Sequence, residues 1–177
     1  MSVGDVGRGD PVEIDDDPAV VSGAISVFAA LLAVLVVTPF FGFAVPLGLL
    51  GLLFLGVGVF GEGSRRWVSL GVTSVFIALV LVGALGAATP LTLVVGSVAL
   101  FVAWDVGQHA VTIGEQFGRG VPTRRGEIVH AAATSLVGVL GAGIAYGIFQ
   151  FGTGGQPALA VILMLLGVVG LVWALRD

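Results

Sequence analysis

The chain holds two histidines, and each has a carboxylate close before it: Asp105 precedes His109 by four residues and Glu127 precedes His130 by three. On a helix either spacing puts both side chains on one face. Carboxylate and imidazole groups on facing helices are the donor set of divalent-metal sites in bundles, and zinc or manganese suits such ligands. Asp105, His109, Glu127 and His130 are therefore candidate metal ligands, although no short motif such as HExxH accompanies them. The same residues also suit a polar network between two helices, with Asp105 orienting His109 and Arg119 pairing Glu115 or Glu127. A proton relay through the two imidazoles is a third use of these groups.

These residues need elements to carry them, and hydropathy supplies the elements. Of 177 residues, 57% are hydrophobic and 10% charged, with a mean hydropathy of +1.13. A soluble domain carries roughly 25% charged residues, so most of this surface is expected to face lipid. Apolar runs near the length that crosses about 30 Å of hydrocarbon lie at about 19–38, 41–60, 67–88, 90–110, 128–151 and 157–175. The expected fold is an all-α polytopic membrane protein, six spans arranged as three hairpins, preceded by a disordered acidic tail over 1–18. The tail is too acidic for a signal-peptide n-region, so the first apolar segment is expected to be retained.

The seven basic residues are all arginines: Arg8, Arg65, Arg66, Arg119, Arg124, Arg125 and Arg176. Six spans place every one on the same side, which the positive-inside rule makes the cytoplasm, together with both termini. Five or seven spans would scatter them. Arg65, Arg66, Arg124 and Arg125 are read as topology determinants and lipid-headgroup contacts. Pro46, Pro90 and Pro157 each stand near the start of an even-numbered span, where a missing N–H costs little. Gly-Val follows ten residues after Pro46 and again after Pro157, a weak hint of repetition.

The polar stripe fits this frame. If the fourth helix continues past the bilayer, Asp105, Gln108, His109, Thr112, Glu115 and Gln116 share one face, while Val106, Ala110, Ile113 and Phe117 lie largely away from it. Asp105 is 15 residues from Pro90, roughly 22 Å at helical rise, so the stripe starts in the inner leaflet, and Trp104 sits at aromatic-belt depth. Gly118, Gly120 and Pro122 end the helix. The fifth helix opens with Glu127 and His130, with Thr134 on the same face. Further along it carries small residues, Thr134, Gly138 and Ala142, and Gly143-x-x-x-Gly147, a face for close helix packing and, secondarily, for oligomer formation.

Absences narrow the function. No cysteine means no disulfide, thiolate site or Cys nucleophile, and no lysine removes a Walker-type phosphate loop and Schiff-base chemistry. No G-x-S-x-G elbow supports hydrolysis. The outer two-thirds of every span lacks Asp, Glu, His and Arg, which disfavours a proton path. No nucleic acid partner and no resident cofactor are expected.

The run WDVGQHAVTIGEQFGR (104–119), continued by R-x-E-x-x-H (125–130), resembles a family of small haloarchaeal multi-pass membrane proteins of unknown function. Arginine-only basic residues, an acidic tail and Val/Ala/Gly-rich helices agree with a halophilic source. The resemblance implies a cell-membrane assembly or maturation system, with a MoxR-type AAA ATPase as a partner; it carries no assigned catalytic residues. The leading expectation is a non-enzymatic membrane component or scaffold that engages a partner through residues 105–130. A small-solute transporter or channel, and an intramembrane metal enzyme at Asp105, His109, Glu127 and His130, stand as alternatives.

Overall fold

A computed structural model describes residues 19–37, 42, 44–61, 63–117 and 123–151. The acidic tail, Glu62, Arg119, Pro122, Arg176 and the apolar run at 157–175 lie outside the described residues. Among the described residues there are five helices, α1 (Val20–Val37), α2 (Ala44–Phe60), α3 (Arg65–Ala84), α4 (Pro90–Phe117) and α5 (Arg124–Phe151), and no strand. They stand where the first five apolar runs lie. α3, α4 and α5 are long and apolar enough to cross a membrane, and α1 and α2 are shorter apolar helices. The chain divides into two compact units, Met1–Val139 and Leu140–Asp177. All packing below belongs to the first; the described part of the second is the end of α5.

Small residues set how closely the helices approach. α2 and α3 run antiparallel with Gly51 against Gly71: a Cβ on Gly71 would lie 2.6 Å from the Gly51 carbonyl oxygen and 2.6 Å from the Leu55 nitrogen. α1 and α4 form a second antiparallel pair. There the Ser26 hydroxyl donates to the Ala103 carbonyl at 2.6 Å, and a Cβ on Gly107 would meet that hydroxyl oxygen at 2.7 Å. Only Gly at these positions lets the backbones and short side chains touch. Leu55, Val59, Val68, Val106 and Val111 fill the core between these pairs.

The α3–α4 connection is built from local chemistry. Gly86 takes φ +63, and the Ala87 N–H reaches the Val82 carbonyl while Gly86 N–H reaches that of Gly83. This is the paired bonding of a glycine-terminated helix end. Thr89 then caps α4, its hydroxyl accepting the Thr92 N–H at 3.2 Å, with Pro90 in the first helical position, where its missing N–H is harmless. α3 and α4 thus run antiparallel, and the start of α3 lies beside the end of α4.

Candidate functional site

α4 runs unbroken to Phe117, so the polar stripe is helical along its whole length. Val106, Ala110 and Ile113, on the opposite face, are buried. The stripe is about a third of the helix circumference wide, and it serves two neighbours. Gln108, Thr112 and Glu115 point to α3; Asp105 and His109 point to α5.

On the α3 side, Arg65 Nη2 donates to Glu115 Oε2 at 2.6 Å and to Thr112 Oγ1 at 3.3 Å. One turn further in, Gln108 Nε2 donates to Ser69 Oγ at 3.1 Å and to the Arg65 carbonyl at 3.4 Å. Both members of the Arg65–Glu115 pair are about half exposed, so solvent screens it. Glu115 is thus paired by Arg65, across from α3.

On the α5 side, Asp105 Oδ2 accepts the Thr134 hydroxyl at 2.6 Å and lies 2.8 Å from His130 Nε2. In the second contact Nε2 makes no aligned hydrogen bond. The His109 and His130 rings stack with centroids 3.8 Å apart and planes inclined by 21°. Asp105 therefore contacts the histidine of the next helix. The one a turn ahead on its own helix is engaged by ring stacking, which holds α4 to α5.

Glu127 does something the sequence gives no hint of. Its side chain is 3% exposed, with Oε2 accepting the backbone N–H of Ser22 at 2.7 Å and Oε1 accepting the Thr123 hydroxyl at 2.8 Å. Ser22 is the third residue of α1, whose first-turn N–H groups have no partner inside the helix. A carboxylate there meets both an orphan donor and the positive end of the helix dipole. Beside it, the Ala19 N–H donates to the Ala110 carbonyl at 3.1 Å. The start of α1 is thereby fixed to α4 and α5 together.

These contacts divide the four candidate ligands. Asp105, His109 and His130 come together, while the Glu127 carboxylate is turned to α1 with both oxygens engaged. Imidazole lone pairs lie in the ring plane, so two nearly parallel stacked rings direct them into separate planes. Among the described residues, no group of three or more His, Asp or Glu side chains is arranged to hold a metal ion. Gln116, Arg124 and Arg125 are exposed at the same end and Arg66 is exposed at the start of α3. Ser22, Ser26, Ser69 and Thr123 were not singled out from sequence. The one available signal was the pair Ser22 and Ser26, four residues apart in an otherwise apolar run, and it marked the face that α4 and α5 cover.

The chain matches the model of a family of unknown function (DUF7519) over residues 16–172, and it belongs to that family. No curated protein and no solved structure matches it.

Proposed function

We propose that this member of the DUF7519 family is a multi-pass protein of the cell membrane with six spans, a cytoplasmic tail over 1–18 and both termini in the cytoplasm. It acts as a non-enzymatic membrane component whose cytoplasmic face, residues 105–130, engages a protein partner. One observation carries this reading: the segregation of charge along the helices. Arg65, Arg66, Asp105, Glu115, Arg124, Arg125 and Glu127 are the Arg, Asp and Glu residues within the described residues, and all fall at the start of α3, the second half of α4 or the start of α5. The intervening segments 67–104 and 131–151 contain no Asp, Glu, Arg, Lys or His. A helix whose polar groups all sit at one end fits a bilayer with that end in water, and an excess of arginine marks the cytoplasmic side.

A scaffold fits the chemistry better than an enzyme does. Asp105, Glu115, Glu127 and His130 are engaged with one another or with Arg65, Thr134, Thr123 and the α1 backbone, contacts that tie helices together. Gln116, Arg124 and Arg125 remain outward for a partner, and the MoxR-type ATPase implied by the sequence resemblance, in a halophilic source, is the partner class proposed. A photo-crosslinking residue at position 116 tests this in native membranes. The expected result is a discrete protein adduct that disappears with Arg124→Glu/Arg125→Glu while the level of membrane-inserted protein is unchanged. Adducts that are insensitive to the arginine changes, or that contain lipid alone, overturn the partner reading.

A further inference from the structure

Two recesses adjoin along α3, one on its own surface at the charged end and one between α3 and α4. At the charged end a shallow recess of about 450 Å³ is lined by Arg65, Arg66, Ser69, Leu70 and Thr73. Further along, a groove of about 280 Å³ lies among Val72, Phe76, Ser97, Leu100, Phe101 and Trp104. Thr73 lines both, so the two adjoin at that residue, with the arginines Arg65 and Arg66 at the first and no charged side chain at the second. Volumes of this order are close to the lower end of small-molecule sites, roughly 300–1,000 Å³.

Charge decides what fits. Arg65 is spoken for by Glu115, whereas Arg66 is exposed and forms no ion pair among the described residues. Ser69 Oγ accepts from Gln108, which leaves its own O–H to donate. An arginine beside a free hydroxyl donor is a phosphate-binding pair. The clasp of Arg65, Glu115, Gln108 and Ser69 joins the two helices at the charged end, and past it Ser97 and Phe101 of α4 line the groove with Val72 and Phe76 of α3. An acyl or isoprenoid chain entering from a head group at Arg66 would lie along Val72, Phe76 and Phe101, with the Trp104 ring at the rim.

We infer that the α3–α4 seam is a binding groove for a single anionic membrane lipid, with its phosphate at Arg66 and Ser69 and one chain between Phe76 and Phe101. The inference rests on the membrane reading above. Trp104 supplies the readout. With Trp67→Phe and Trp173→Phe, it is the sole tryptophan, and the protein is placed in phosphatidylcholine vesicles containing a small fraction of brominated lipid. Brominated phosphatidylglycerol is expected to quench Trp104 about fivefold more effectively than the same fraction of brominated phosphatidylcholine, the worth of one arginine near an anionic site. Arg66→Gln removes that preference, and Ser97→Leu, which fills the groove, weakens quenching by both lipids at low fraction. Excess inorganic phosphate leaves the quenching unchanged, since the chain contributes to binding.

Equal quenching by the two lipids in the parent protein overturns the inference and leaves membrane insertion intact. A preference that survives Arg66→Gln, or one that phosphate alone abolishes, also overturns it. Failure of either lipid to quench Trp104 at any fraction overturns the membrane reading itself.

Discussion

Glu127→Ala removes the acceptor for a backbone N–H that has no other. Ser22 is 0% exposed and Glu127 3% exposed, so water does not replace the lost carboxylate at the start of α1. A buried donor left without a partner costs about 1–3 kcal/mol. The lost charge at a helix N-terminus adds up to about 2 kcal/mol in a partly buried setting. These contributions overlap, and the expected destabilisation is about 2–4 kcal/mol. Glu127→Gln behaves differently: the amide oxygen still accepts from Ser22, and Thr123 can rotate its hydroxyl to accept from the amide nitrogen. Its expected cost is about 1 kcal/mol, the charge contribution alone. Unfolding of the purified protein in detergent, by heat or by added denaturing surfactant, reads both. Hydrogen exchange then locates the effect, with faster exchange confined to the first turn of α1 in the Ala variant. If Ala and Gln destabilise equally, or if Ala lies within about 0.5 kcal/mol of the parent, Glu127 does not cap α1.

Three further outcomes follow from the same packing. Ser26→Ala loses the hydrogen bond to Ala103 and costs about 1 kcal/mol, whereas Ser22→Ala is neutral or slightly stabilising, because the Ser22 hydroxyl is buried with no partner; paired detergent unfolding curves distinguish them. Gly71→Leu drives a side chain into the Gly51 carbonyl and the Leu55 backbone, which costs at least about 1–3 kcal/mol by overpacking and separates α2 from α3, a change read by spin-label distances across the pair. A double-mutant cycle on Arg65→Gln and Glu115→Gln gives a coupling of about 0–1 kcal/mol that shrinks with added salt, as expected for a half-exposed pair; a salt-independent coupling above about 2 kcal/mol contradicts the exposure of the two side chains.

Much of the frame was legible because it is local. Apolar runs, Pro90 at the start of a span, and the stripe from Asp105 to Gln116 each depend on neighbours within a few residues. What the stripe meets is not local. A helical face names which side chains share a direction, and it leaves open which helices lie to left and right. So the division of the stripe, Gln108 and Glu115 toward α3 and Asp105 and His109 toward α5, required the packing. The same holds for Glu127 and Ser22, 105 residues apart. Asp105 was expected to orient His109 and instead meets His130 and Thr134. Glu115 shows a related difficulty: several arginines gather at one end of the helices, and its pairing with Arg65, 50 residues away, comes from packing. The α3–α4 groove left no trace in sequence at all, because side chains of two helices line it together.

On the proposed topology the polar end and the α3–α4 turn lie on opposite sides of a membrane. The chain has no cysteine, so single cysteines report without background. Leu85 is exposed at the turn, and a Cβ on Gly126 meets nothing within 4 Å, which makes Leu85→Cys and Gly126→Cys mild changes. A membrane-impermeant maleimide is expected to label Leu85→Cys in intact cells and Gly126→Cys only after permeabilisation. Labelling of both from the same side, in protein that is still folded, contradicts the account.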